Sequence, residues 1–229
     1  MRYECEQVEL KRKDDGTDLY LTKFWCPASW QDKNILMVHG LTYTQHVFDI
    51  KYKDYSVCEY FAKNGYTVWR LDLSGYGKSG KYEDGWKVTT QHAAEDEIYA
   101  LEKICELQGV EKLDLLGWSW GTMTTSKVAS QRPDLLKKVV WLGPCFGGAF
   151  EATPVTDLHR MWVDHTYAQD GGHGRPNGGA KEIMEIGDGW LIDTKAVKLL
   201  HLHGAGHAMY LEKDYYQTTR EAILKFISE

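Results

Sequence analysis

No apolar run in this 229-residue chain approaches the length of a bilayer-spanning helix. The opening stretch, "MRYECEQVELKRKDD", has acidic residues early and no apolar core segment, so it does not read as a secretory signal. A disulfide framework is missing too: the five cysteines, Cys5, Cys26, Cys58, Cys105 and Cys145, are odd in number and widely spread. Reduced thiols in a cytoplasmic protein are the expectation. There is no basic cluster. The 27 Lys and Arg are scattered among 33 Asp and Glu, a net charge of −6, which argues against nucleic acid or an anionic membrane as partner. Internal repeats and low-complexity tails are also lacking. What remains is a chain of ordinary globular composition, enriched in Trp (9) and Tyr (14), and long enough to bury one real core. A single domain over residues 1–229 is expected.

Two early runs, Tyr3–Leu10 and Leu19–Trp25, alternate apolar and polar residues around "KRKDDGTD", the pattern of a hairpin. "NILMVHG" follows as a short buried strand ending in His39-Gly40. Residues 53–63 suit a helix that stops at Asn64-Gly65. "YTVWRLDLSGYG" is another buried strand with a glycine-rich exit. From Thr89 to Gln108, Ala93, Ala94, Ile98, Leu101, Ile104 and Cys105 recur at helical spacing, and Gly109 is placed to end the helix. "KLDLLGWSWG" predicts a strand, then a helix to about Gln131, with Pro133 beyond it; "LKKVVWLGP" is one more strand. Apolar strands alternating with helices signify a mostly parallel sheet covered by helices on both faces. Residues 144–190 break that rhythm with glycines and aromatics, and are expected to form a small cap. "AVKLLHLHG" resumes it as a strand, and Leu211–Ser228 as a final helix.

The chemistry centres on "GWSWG", Gly117–Gly121, a G-x-S-x-G motif set between a strand and a helix. A turn that tight needs glycine at both ends to leave room. It projects the serine from the C-terminal edge of the sheet at a helix N-terminus, where the dipole and free N–H groups favour developing negative charge. In order along the chain, His39-Gly40, "DLSGYGKSG", "GWSWG" and "GAGHAMYLE" resemble the α/β-hydrolase superfamily, and the resemblance covers nearly the whole length. It implies an α/β-hydrolase fold with Ser119 as nucleophile and His207 as general base. The backbone N–H groups of Leu41 and Trp120 would form the oxyanion hole. Those roles suit the residue types. A serine hydroxyl is a poor nucleophile until an imidazole takes its proton, and a tetrahedral oxyanion needs prepositioned donors, each worth on the order of 3 kcal/mol of barrier.

Other patterns are weighed and set aside. His39 is expected to brace its loop by hydrogen bonds, and His46, His92, His159 and His165 have no motif around them. His201, His203 and His207 resemble a zinc-binding arrangement, but no fourth ligand is apparent and no metal or cofactor is expected. Gly204 and Gly206 instead let the chain turn His207 back to the sheet edge. "GYGKS" holds the tail of a phosphate-binding loop, yet Asp72 stands where the motif requires glycine.

The acid of a triad is the missing part. In one reading "KEIMEIGDG" is the penultimate strand with Asp188 at its exit, but about eight residues then precede the next strand, too few for a parallel crossover. In the other, preferred, reading the segment through "LIDT" ends the cap, and the acid-bearing strand and its helix are absent between about Val197 and Leu199. Asp188 and Asp193 are then weak candidates. Loss of a triad acid costs about four decades in rate without abolishing catalysis.

The leading expectation is a serine hydrolase acting on a small carboxylic ester, thioester or lactone, with Phe146, Phe150, Trp162 and Tyr167 of the cap, and Trp118 and Trp120 beside the nucleophile, enclosing a modest acyl or aryl group. Hydrolysis of a carbon–carbon bond in a diketone-like substrate is the alternative that this fold also supports. A degenerate hydrolase that binds a small molecule without efficient turnover is the alternative from another class.

Overall fold

A computed structural model describes residues 2–144, 200, 202 and 204–229. Six strands make one sheet: β1 (Glu4–Lys11), β2 (Asp18–Trp25), β3 (Lys33–Val38), β4 (Tyr66–Asp72), β5 (Leu113–Trp118) and β6 (Leu136–Leu142). Their spatial order is β1-β2-β4-β3-β5-β6. The expected hairpin is present, with Val8 opposite Leu21. β2 then pairs antiparallel with β4, Tyr20 facing Asp72, whereas β4, β3, β5 and β6 run parallel. Four helices are described: α1 (Val57–Lys63), α2 (Thr90–Gln108), α3 (Trp120–Gln131) and α4 (Tyr216–Ser228). None of the described helices is long and apolar enough to cross a membrane.

The period-two alternation of the strands sorts the core into two layers. Leu36 and Val38 of β3, Trp69 and Leu71 of β4, and Leu113 and Leu115 of β5 join Ala93, Leu101 and Ile104 of α2 and Met123 and Val128 of α3. The intervening residues, Ile35, Met37, Val68, Leu116 and Trp118, join Val57 and Phe61 of α1 and Ile223 and Ile227 of α4 on the other face. Removing each such aliphatic side chain from water contributes about 1.5–3 kcal/mol, so strands buried on both sides are the strongest part of the fold.

Three element boundaries differ from the sequence expectation. α1 begins at Val57, not at residue 53, because Lys53 has φ 49 and Ser56 caps the helix by accepting the Glu59 N–H at 3.0 Å. The final helix begins at Tyr216 because a 3-10 turn, Met209–Leu211, ends on Glu212 with ψ 133, which is extended backbone. Of the strand expected over 196–204, Leu200 and Leu202 are described outside any strand and Gly204 lies in a turn. The limits of α2 agree with expectation to one residue: Thr89 accepts the His92 N–H, and Gly109 closes the helix at φ 64.

The loops after β3 and β5 leave the C-terminal edge of the sheet side by side. β3 has β4 on one flank and β5 on the other. The chain therefore departs in opposite directions from this point, the crevice where open α/β sheets bind ligands.

Candidate active site

Ser119 links the end of β5 to the start of α3 with φ 58 and ψ −124. An L-residue held there is strained by about 1–3 kcal/mol, and neighbouring groups must enforce it. Its N–H donates to the Leu142 carbonyl at 3.0 Å, and its carbonyl accepts from the Thr122 N–H at 2.8 Å and hydroxyl at 2.7 Å. Both motif glycines are needed on steric grounds. A Cβ on Gly117 would lie 2.3 Å from the Gly121 carbonyl oxygen, and one on Gly121 would lie 2.7 Å from that of Val38. The Ser119 side chain makes no capping bond to α3 and is half-buried.

The loop after β3 presses against this elbow. A Cβ on Gly40 would come within 2.8 Å of the Ser119 Cβ. Thr42 is buried with φ 68, and its hydroxyl has no partner among the described residues. His39 braces the loop: its Nε2 accepts the Leu73 N–H at 3.2 Å while Nδ1 lies 2.8 Å from the Gly40 carbonyl, which requires the neutral Nδ1–H tautomer. Among the described residues, neither the Leu41 nor the Trp120 backbone N–H has an acceptor. The latter opens α3, where intrahelical partners do not exist.

His207 arrives from the C-terminal segment. Its ring lies so close to Gly143, the residue after β6, that a Cβ there would be 3.0 Å from Nδ1. The Ser119 main chain bonds to Leu142, so the Ser119 backbone and the His207 ring meet consecutive residues at the end of β6. Trp118 Nε1–H donates to the His207 carbonyl at 3.0 Å. His207 is solvent-exposed as a residue, yet the partial burial of its ring lowers its pKa below the usual 6.5. Burial is the cause among the described residues, and no carboxylate among them opposes it by raising the pKa. The imidazole is therefore neutral, and able to accept a proton, at neutral pH.

Two features were not foreseen from the sequence. Glu212 holds the loop before His207 by accepting the Gly206 N–H at 3.0 Å. Its only sequence signal is an acidic residue soon after a glycine-rich turn whose donors need acceptors. Asp72, the last residue of β4, accepts the Gln45 N–H at 2.7 Å and the Lys78 N–H at 2.9 Å. The Gly-Lys-Ser stretch thus wraps a carboxylate of its own chain, and a Cβ on Gly77 would lie 2.0 Å from that carboxylate's Oδ2.

Beyond Pro144, the cap expected at 144–190, its aromatic residues, Asp188, Asp193, the shortened join near Leu199, and His201 and His203 lie outside the described residues. Among the described residues no group of three or more His, Cys, Asp or Glu could hold a metal ion. The four described cysteines are free thiols.

A profile of the alpha/beta hydrolase fold matches residues 33–171, more than half of the chain. Among solved structures, epoxide hydrolase I of potato, Solanum tuberosum, is similar at 23% identity and a TM-score of 0.51, over 73% of this chain and 46% of that one. An epoxide hydrolase of Vigna radiata is similar at 20% identity and a TM-score of 0.50, over 72% of this chain and 44% of that one. This chain spans less than half the length of either, and at such identities the likeness shows the fold. With β5, the helix α3 and the strained Ser119 between them arranged as described, the chain belongs to the α/β-hydrolase fold family.

Proposed function

We propose that the protein is a serine hydrolase that cleaves a small carboxylic ester, or a thioester or lactone, through an acyl-enzyme on Ser119. The observation that carries this reading is the backbone of Ser119, held at φ 58 between β5 and α3 by packed glycines. Such strain persists where the surroundings enforce it, and it presents the hydroxyl at the sheet edge. His207 takes the hydroxyl proton as Oγ attacks the substrate carbonyl carbon. The Leu41 and Trp120 N–H groups receive the oxyanion. The intermediate collapses as the leaving alkoxide or thiolate departs with the proton from His207. Water then attacks the acyl-serine by the same steps in reverse order, releasing the acid and restoring Ser119.

The two similar structures are epoxide hydrolases. The nucleophile in this chain favours acyl chemistry instead. A serine alkoxide that opened an epoxide would form an ether, which water and an imidazole do not cleave, whereas an ester on Ser119 is readily hydrolysed.

A fluorophosphonate probe is expected to label the wild-type protein and not Ser119→Ala. Equal labelling of both would overturn the proposal. Turnover of aryl esters that depends on both Ser119 and His207 would separate this reading from a binding-only protein. A β-diketone assayed in parallel would reveal carbon–carbon hydrolysis.

A further inference from the structure

Trp118 is the last residue of β5 and directly precedes Ser119, and only 3% of it is exposed. Its indole meets both the loop after β3 and the segment that carries His207. Nε1–H donates to the carbonyl of His207 at 3.0 Å, across 89 positions of the chain. The indole and imidazole centroids are 5.7 Å apart, with the rings inclined at 39°. Tyr43, on the loop after β3, meets the indole edge-on at 4.9 Å, and Tyr210, just beyond the base, does so at 5.4 Å. A buried indole needs an acceptor for its N–H, and many carbonyls would serve. Here the acceptor is the main chain of His207 itself.

The turn before His207 is lightly held among the described residues. Gly204 has φ 83, the Ala205 N–H donates to the Leu202 carbonyl at 3.2 Å, and the Gly206 N–H donates to Glu212 at 3.0 Å. Glycines on either side of Ala205 leave the backbone free to swing unless it is held from outside. An indole has only two side-chain torsions, so a bond from its Nε1–H fixes the His207 carbonyl with little freedom.

We propose that Trp118 is a positioning residue: its indole holds the main chain of His207, and thereby sets the distance and orientation of the imidazole relative to Ser119. This rests on the reading of Ser119 and His207 as nucleophile and base. A misplacement of about 1 Å in such a pair costs on the order of a hundredfold in rate.

Trp118→Phe removes the donor and keeps an aromatic face. On an aryl ester its kcat is expected to fall about ten- to a hundredfold with KM unchanged, and fluorophosphonate labelling of Ser119 should slow in parallel. Incorporation of β-(3-benzothienyl)alanine at position 118 replaces only the N–H by sulfur. It preserves the shape of the indole should Trp118→Phe not fold, and the same losses are expected. A second readout needs no turnover. The His207 Cε1–H resonance, assigned against His207→Gln, should move in the benzothienyl variant as the imidazole changes its place over the retained bicyclic ring. Wild-type kcat, labelling rate and His207 resonance in a folded variant would reduce Trp118 to space-filling and overturn the inference. A moved resonance in a protein whose wild type shows no Ser119-dependent turnover would support the positioning contact and overturn the hydrolase reading instead.

Discussion

Strain at single residues gathers at one place. Of the three described non-glycine residues with positive φ, Thr42 and Ser119 both border the candidate site, while Lys53 lies in the loop before α1. A β-branched residue at φ 68 is especially unfavourable, so Thr42 is a further sign that the loop after β3 is held against its preference. Gly40 transmits that constraint. It lacks a side chain where one would overlap the Ser119 Cβ at 2.8 Å and crowd the Trp118 carbonyl oxygen at 3.2 Å. Neither obstacle is the flexible end of a long side chain, so an added methyl must push the elbow or the loop away. Gly40→Ala is therefore expected to lower kcat about a hundredfold, through displaced reacting groups, while the protein stays folded. Steady-state kinetics beside a thermal melt would check this. An unchanged kcat would mean that the elbow yields without cost.

Between elements, the carboxylate of Asp72 joins two loops that strands alone would leave independent. One oxygen takes the Gln45 N–H from the segment after β3, and the other takes the Lys78 N–H from the exit of β4. In Asp72→Asn an amide NH2 must face one of those N–H groups. A buried donor loses its acceptor, at a cost of about 1–3 kcal/mol, and the loop bearing Leu41 loosens. Urea denaturation should show that loss together with slower ester turnover; a variant as stable as wild type would mean that water replaces the bond. Much of this scale was legible in the sequence. The alternation of β1 and β2, the apolar runs of β3 and β4 and the caps of α2 follow local patterns, and G-x-S-x-G fixes its own context. Ser56-x-x-Glu59 is a capping signature that dates the start of α1 to Val57, but the apolar pattern alone extends it too far. The pairing of β2 with β4 was not legible, because partners far apart in sequence are chosen by packing. The tie from Trp118 to His207 was hidden for the same reason: tryptophan before a nucleophile carries no sign of which carbonyl it will reach.

Across the whole molecule, each hydrophobic layer conceals a carboxyl group. Asp114 alternates with Leu116 and Trp118 on the side of α1 and α4; burial pushes its pKa up to about 6, and its Oδ1 has no partner among the described residues. Glu97 of α2 lies fully buried near α3, with neither oxygen hydrogen-bonded among the described residues. Burial, together with the nearby Asp96, raises its pKa well above 4.5. The Thr124 hydroxyl beside it is committed to the Gly121 carbonyl at 3.1 Å. An acid with a raised folded pKa keeps its proton in the native state after the unfolded chain has released it. Its folding contribution is intact below the unfolded pKa and is lost as pH rises through the folded one. Glu97→Gln cannot ionise, so it escapes that loss. The variant and wild type should differ by a constant offset below the unfolded carboxyl pKa, and the variant should gain steadily in relative stability as pH rises above it. Asp114 titrates in both proteins and cancels from the comparison. Thermal melts across this range would measure the divergence. Parallel curves would mean that Glu97 ionises equally easily folded and unfolded, and hence that water reaches it between α2 and α3.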